Sequence, residues 1–484
     1  MAKLLEELIS DLSVNKILGD KKITITGIAY HSQKVRPNYL FVALEGSKTS
    51  GIQFIEEALA KGAVAIASNQ IIPNWNNKAT YLQVAEPRIF LAQVANKFYN
   101  FPTRRIKLIG VTGTNGKTTT AYLIKSILDT AGKTSGLLGT IKHFDGENWL
   151  KAENTTPESL DIIQILTKLE HKGINYCVLE VSSHGLELHR VFGLRFSVGV
   201  FTNLTQDHLD FHKTIEAYKN AKLKLFAGLD KKAIAIVNRD DDLAYEIDQI
   251  SQARIIYYSL KNPAEITAKI LDLTPLGTKL ILNSEGTEVA MNLRLPGTPN
   301  VYNLLAAAGV GLALGISLAT IKTGIEKVKF IPGRLERVEN DKGLLVFVDY
   351  AHSPDALKNL LMTARAFTKK RVLILFGCGG NRDKTKRPIM GRIATELADF
   401  VVLTSDNPRD EDPQKIIEDI KTGITKSNFE VVPDRYRAIK RILTLAQMGD
   451  IVLIAGKGHE DYQIIGNEKR HFDDKQVVKQ ILES

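Results

Sequence analysis

A chain of 484 residues is too long for one hydrophobic core, so three domains are expected. Its 44% hydrophobic and 24% charged content is ordinary for a soluble globular protein. The net charge of +10 comes from scattered basic residues, with no basic helix or aromatic–basic platform, which argues against nucleic acid and fits a polyanionic small substrate.

The N-terminus, MAKLLEELISDL, mixes charges into its apolar residues and lacks a signal-peptide layout. Residues 1–104 alternate short elements, as a small α/β domain does. Strands are expected at Ile23–Tyr30, Tyr39–Leu44 and Ala63–Ala67, and helices at Phe54–Lys61 and Leu91–Phe98. Asn100-Phe-Pro102 reads as a linker.

Residues 105–332 begin with KLIGVTGTNGKTTT. An apolar strand (Leu108, Ile109, Val111) runs into the turn Gly113-Thr114-Asn115-Gly116-Lys117-Thr118, and Thr119, Thr120, Leu123, Ile124 and Ile127 continue at helical spacing. Strand, glycine turn, Lys-Thr and helix form a P-loop, although the glycines fall at Gly110 and Gly113 rather than five before Gly116. Backbone N–H groups and the helix N-terminus suit phosphate oxygens. Lys117 suits the β/γ-phosphates and the Thr118 hydroxyl suits Mg²⁺. Strands recur at Tyr176–Val181, Ser197–Asn203, Ala233–Asn238 and Arg254–Ser259, which implies a parallel sheet. Ala268–Leu282 reads as a hairpin turning near Pro275 and Gly277, and Val301–Leu314 and Leu318–Val328 as helices. The apolar tract Leu304–Ala319 is too short to span a bilayer and reads as a buried helix.

Ile331-Pro-Gly333 marks the next boundary. Over 333–484 strands are expected at Leu344–Tyr350, Val372–Gly377, Phe400–Thr404, Phe429–Val432 and Ile451–Ala455. Helices such as Ala356–Phe367, Gln414–Thr422 and Tyr436–Gln447 lie between them, a Rossmann-like pattern. Cys177 and Cys378 each lie in an apolar run and read as buried free thiols of a reducing, cytoplasmic compartment.

Several strand ends carry polar clusters. Glu180, in EVSSH, is either a metal ligand or a solvated strand end. His208, in TNLTQDHLD, is a ligand or a packed, capping residue, and Lys222 reads by itself as a surface lysine on a helix. Asn300 and Asn303 cap a helix or face a purine edge, with capping favoured. In the last domain GCGGNRDKTKR joins a glycine turn to Arg382, Lys386 and Arg387, a receiver for an anion. SDNPR and AGKGHED follow two further strands, so three charged loops share one edge of a sheet.

TGTNGKTTT, EVSSHGL, TNLTQDHLDFH, LPGTPNVYN, IPGRLERV, VDYAHSPDAL, GCGGNRDKTKRPIMG, DNPR and AGKGHEDYQ occur in one order, and the whole chain resembles the Mur ligases. The resemblance implies a uridine-nucleotide domain (1–104), a central ATP-binding P-loop domain (105–332) and an amino-acid-binding Rossmann-like domain (333–484). It implies ATP contacts at Gly113, Thr114, Asn115, Gly116, Lys117, Thr118, Thr119, Asn303, Arg334 and Asp349. Magnesium falls to Thr118, Glu180, His208 and a carbamylated Lys222; these last three and Lys117 are the implied catalytic residues. Ser32, Thr155, Thr156, Ser182 and Arg190 match positions that hold the UDP-muramoyl-dipeptide, UDP-MurNAc-L-Ala-D-Glu. Arg382, Asp406, Asn407, Pro408, Arg409, Gly456 and Glu460 match the members that take meso-diaminopimelate, a carboxylate at whose far end suits an arginine fork.

The implied chemistry is ATP-dependent amide-bond formation through an acyl phosphate, by a monomer bound to neither nucleic acid nor membrane. The family often has Asp-Ser-Arg where His31-Ser32-Gln33 stands and glutamine where Leu188 stands, both on the uridine–muramoyl side. Rival expectations are a lysine-adding member, another Mur ligase or a folylpolyglutamate synthetase, a nucleotide switch without ligase chemistry, and a nucleic-acid binder resting on net charge alone.

Overall fold

The computed structural model describes residues 1–46, 49–70 and 79–483. They fall into two compact units, Met1–Gly110 with Lys133–Val198, and Val111–Gly132 with Gly199–Ser484. Among the described residues no helix is long and apolar enough to cross a membrane.

The first unit holds a five-stranded sheet in the order Lys16–Leu18, Thr80–Gln83, Ala63–Ser68, Tyr39–Val42, Gly27–Ala29. Only the first pairing is antiparallel. The strand expected over Ile23–Tyr30 is two pieces, because it serves two sheets: Thr24–Ile25 pairs with Lys3–Leu4, and Gly27–Ala29 with Tyr39–Val42. Between them Thr26 turns its N–H to Asn38 O (2.9 Å) and its hydroxyl to Pro37 O (3.1 Å). The helix expected at Leu91–Phe98 starts earlier, at Pro87, whose ring suits a first helical turn. Farther along, Ser135–Leu138 runs parallel to Tyr176–Glu180 and continues into an antiparallel hairpin, Lys142–Phe144 with Trp149–Lys151. The helix Ser159–His171 buries Ile162, Ile163, Leu166 and Leu169, one face at helical spacing.

In the second unit the P-loop helix Lys117–Thr130 lies against Thr298–Ala313 and Leu318–Glu326. Small residues permit the approach: a Cβ on Gly324 would stand 2.7 Å from the Ile127 backbone, and Ser126 Oγ donates to Gly324 O (2.6 Å). The expected buried helix is thus Thr298–Ala313, ending before Leu318 begins the next. Ile234–Asn238 and Arg254–Ser259 pair in parallel. The expected hairpin is Ile266–Thr274 with Gly277–Ser284, and a third antiparallel strand, Thr287–Leu293, extends it.

The rest of this unit is a six-stranded sheet, ordered Glu336–Val338, Leu345–Asp349, Ile451–Ala455, Val372–Phe376, Phe400–Leu403, Phe429–Val431. All neighbours are parallel except the first pair. The strands read as apolar runs because both faces are covered. Phe347, Ile374 and Phe376 feed one core, while Val346, Val348, Leu373 and Leu375 feed the other. This is the doubly wound pattern expected of the segment, and it brings the ends of Leu345–Asp349, Ile451–Ala455, Val372–Phe376 and Phe400–Leu403 to one edge.

Candidate active site

In the second unit the phosphate loop is tied down by the segment after Phe201. Thr114 N–H donates to Asn203 O (2.8 Å), Asn115 N–H to Asn203 Oδ1 (3.0 Å) and Thr202 Oγ1 to Asn115 O (2.6 Å). Gly113 (φ +147°) has no room for a side chain, since a Cβ there would strike Thr202 Oγ1, and one on Gly116 (φ +86°) would strike Asn303. The glycines let this loop turn tightly into the mouth of the Lys117 helix, where the helix N-terminus suits an anion. Thr118 and Thr119 are buried in its first turn. Lys117 Nζ lies over the loop, 2.8 Å from Gly113 O and 2.8 Å from Thr114 O.

Lys222 corrects the sequence expectation. It is 1% exposed, on the helix Ile215–Ala227, and its Nζ donates to Gly113 O at 2.8 Å. Burial and the neighbouring Lys117 push its pKa well below the ordinary lysine value. Beneath it Tyr218, also buried, donates its hydroxyl to Thr114 Oγ1 (3.1 Å), with the Lys222 ammonium 4.3 Å from its ring centre. His208 takes a left-handed backbone (φ 56°), and its ring stands at 6.0 Å from that of Tyr218. Beside it is Asp207, from the same polar TNLTQDHLD stretch. Burial raises this carboxyl, but His208, His352 and Lys386 outweigh it and hold it below the usual range.

Asn303 does not cap its helix: Gly297 stands at the cap, and Asn303 accepts from Thr120 Oγ1 (3.3 Å) and donates to Asn300 Oδ1 (3.1 Å). Asn300 donates to Pro296 O (2.8 Å). Arg334 Nη2 lies 3.3 Å from Thr118 Oγ1, its guanidinium 4.9 Å from the Tyr350 ring centre. Asp349 accepts from Leu335 N (2.6 Å) and Ala351 N (2.7 Å), and burial raises its pKa against the pull of Arg334.

The three charged loops do share one edge. Asn407 Nδ2 donates to Glu460 Oε2 (2.8 Å), and Lys457, 0% exposed, puts its Nζ 3.3 Å from Asn407 Oδ1 and 3.5 Å from Glu460 Oε2. Burial, then the nearby Asp406, raises the Glu460 pKa. Asp406 and Pro408 are buried, and a Cβ on Gly456 (φ +111°) would come 2.5 Å from Asp406 Oδ2. Arg409 (φ 53°) donates from Nη1 to Gly380 O (2.9 Å), while its N–H bonds Ile464 O (3.1 Å). An unforeseen hairpin, Tyr462–Ile465 with Glu468–His471, thus straps the DNPR loop. The expected anion receiver shrinks. Arg387 is 0% exposed and spent on Glu411 (3.0 Å) and Asp419 (2.8 Å), and Lys386 donates to His352 O (2.8 Å). Arg382 remains exposed. A second buried pair, Arg435 with Asp474 (2.6 Å), supports Ala455 O (3.1 Å) at the strand end.

The first unit holds its own cluster. Glu180 is 0% exposed, not a solvated strand end, and takes Thr140 N–H on Oε1 (3.0 Å) and Thr140 Oγ1 on Oε2 (2.8 Å). Thr155 Oγ1 meets Thr140 Oγ1 (3.1 Å). Thr156 Oγ1 donates to Glu180 O (2.7 Å) and meets Ser182 Oγ (3.0 Å). Arg190 donates to Thr156 O (2.9 Å) and pairs with Glu158, which also takes Arg88 (2.7 Å). Ser32 donates to Glu57 (2.7 Å). Glu158 and Arg88 escaped the sequence reasoning because an ion pair 70 positions apart leaves no local trace.

In the second unit the Thr118 hydroxyl is an oxygen donor of the kind a hard divalent cation takes, while an unmodified Lys222 ammonium is not a ligand; in the first unit the Glu180 carboxylate is also such a donor. Among the described residues no group of three His, Cys, Asp or Glu side chains is gathered to hold a metal alone.

A P-loop joined to a doubly wound sheet of charged loops defines a nucleotide-driven class, and the comparisons agree. Residues 24–99 match the model "Mur ligase family, catalytic domain", 111–311 "Mur ligase middle domain" and 333–458 "Mur ligase, glutamate ligase domain". The chain belongs to the Mur ligase family. It is 45% identical to the UDP-N-acetylmuramoyl-L-alanyl-D-glutamate–2,6-diaminopimelate ligase of Clostridium tetani (strain Massachusetts / E88), covering 99% of each chain. The protein of that name from Solibacter usitatus (strain Ellin6076) is 43% identical over 99% of this chain and 98% of its own. A solved diaminopimelate ligase structure superposes with TM-score 0.69 at 33% identity, over 100% of this chain and 99% of that one. The fold is shared with Thermotoga maritima MurF in complex with ADP, TM-score 0.66 at 20% identity, over 94% and 96%.

Proposed function

We propose that the protein joins meso-2,6-diaminopimelate to UDP-N-acetylmuramoyl-L-alanyl-D-glutamate in an ATP-dependent reaction of peptidoglycan precursor synthesis. The observation that carries the amine choice is the edge where Arg409 and Glu460 stand on adjacent loops. A far-end amino-carboxylate needs both a cation and an anion, and lysine would leave the Arg409 guanidinium idle.

The glycine turn and the N-terminus of the Lys117 helix receive phosphates, with the Lys117 ammonium already stationed on the loop. Thr156, Ser182 and Arg190 hold the dipeptide, whose D-Glu side-chain carboxylate attacks the γ-phosphate and expels ADP to give an acyl phosphate. The amine held at Asn407, Arg409 and Glu460 then displaces phosphate from the acyl phosphate. Thr118, His208 and Lys222, the last as a carbamate, would hold magnesium in the second unit, with Glu180 of the first as a further oxygen ligand; when bound, the ion would supply charge that offsets a polyphosphate. Burial supports that modification of Lys222, because a neutral amine is the form that captures carbon dioxide. We place the protein in the cytoplasm as a monomer; its two buried free cysteines fit a reducing compartment.

The test is phosphate release with the uridine dipeptide, ATP and a panel of amines. Turnover is expected with diaminopimelate. Turnover with lysine and none with diaminopimelate overturns the amine choice, and hydrolysis indifferent to the uridine dipeptide overturns ligase chemistry.

A further inference from the structure

One carboxylate links the phosphate loop to the amine-binding half of the second unit. Asp355 opens the helix Pro354–Phe367, directly after the loop that follows Asp349. Its Oδ2 accepts Asn115 Nδ2 (2.8 Å), Thr205 Oγ1 (2.8 Å) and, from its own helix, Asn359 Nδ2 (3.0 Å). Asn115 lies within the glycine turn, and Thr205 in the segment that fastens it, Thr205 N–H donating to Thr114 Oγ1 (3.0 Å). Three donors on one carboxylate oxygen form a strong, directional joint.

The joint is not needed to shape the phosphate loop. The peptide of Asn115 is already held by Thr202 and Asn203, through 2.6 Å and 3.0 Å bonds. What Asp355 adds is a tie to the far side. The strand Leu345–Asp349 before it pairs with Ile451–Ala455, whose end leads to Gly456, Lys457 and Glu460.

We infer that Asp355 is a positioning residue for the amine step, registering the amine-binding strand ends against the phosphate loop through Asn115 and Thr205. Its side-chain bonds run to Asn115, Thr205 and Asn359, so it acts through them. The inference rests on the amine-ligase reading above, and it assigns Asp355 a role in delivering the nucleophile to the activated carboxylate.

The experiment compares wild type, Asp355→Ala, Asp355→Asn, Asn115→Ala and the Asn115→Ala/Asp355→Ala double variant, using whichever amine of the panel the wild type turns over. For Asp355→Ala, kcat/KM for the amine falls about tenfold or more, since a bond to a charged group is lost. Its dissociation constant for ATP, by calorimetry, stays within about twofold of wild type. Asp355→Asn, whose amide oxygen still accepts, recovers most of the loss, and the double variant is no worse in amine kcat/KM than the more damaging single one. Equal losses in ATP binding and amine use, or an additive double variant, overturn the inference. A wild type that prefers lysine overturns the amine choice and leaves this test readable on lysine.

Discussion

The carbonyl of Gly113 accepts from two ammonium groups at once, Lys117 Nζ and Lys222 Nζ, each at 2.8 Å. Two cations on one loop carbonyl, one of them fully buried, repel each other, and burial drives Lys222 toward its neutral form. Lys222→Ala is expected to cut turnover by about a hundredfold or more, as for loss of one preorganised charge-stabilising group. Acetate or another short carboxylic acid is expected to restore part of it by standing in for a carbamate. Wild-type phosphate release by the variant would remove Lys222 from the machinery.

Arg409→Ala separates the two small substrates. The guanidinium bonds Gly380 O and Asn407 O, on the edge proposed for the amine, and makes no bond to the phosphate loop among those described. KM for diaminopimelate is expected to rise about a hundredfold, the scale of a lost buried charge contact, with ATP binding unchanged. Parallel losses in calorimetric ATP affinity and amine use contradict the assignment.

Arg190→Ala addresses the uridine substrate. Its guanidinium holds Thr156 O (2.9 Å) and Glu158 (2.9 Å), beside the hydroxyls of Thr156 and Ser182. KM for the UDP-muramoyl-dipeptide is expected to rise about tenfold or more, with the ATP constant unaltered. An unchanged KM would take Arg190 out of the dipeptide site.

Glu411 makes the fold sensitive to acid. Its hydrogen bond from Arg387, together with that from Asn381 N–H, lowers its pKa from 4.5 to about 2 against the effect of burial. The unfolded chain therefore binds more protons than the folded one in that window. The stabilisation is complete above about pH 4.5 and is lost as pH falls through about 2. In urea unfolding at a series of pH values, Glu411→Gln is expected to lose less stability than wild type between pH 5 and pH 3. Parallel pH profiles would rule out this coupling.

What the sequence made legible was what it stores locally. The P-loop is contiguous, so Gly113–Thr118 declared itself, and the apolar runs of the last sheet showed that both faces are covered. Lys222 reads as a surface lysine because the loop carbonyl it is buried against, Gly113 O, lies 109 positions away in sequence. Arg387 read as a free cation because its partners Glu411 and Asp419 lie 24 and 32 positions on. The hairpins at 142–151 and 462–471 were missed since such short, charged strands carry little periodicity.

The Arg435–Asp474 pair has a practical bearing on preparations of the protein. Asp474 begins the last helix, yet its carboxylate sits in the interior under Ala455. A protease nick that freed this tail would strand a guanidinium beneath the Gly456 turn. Such a sample would still retain nucleotide on an affinity resin while failing to consume amine. Intact mass alongside both assays would expose it.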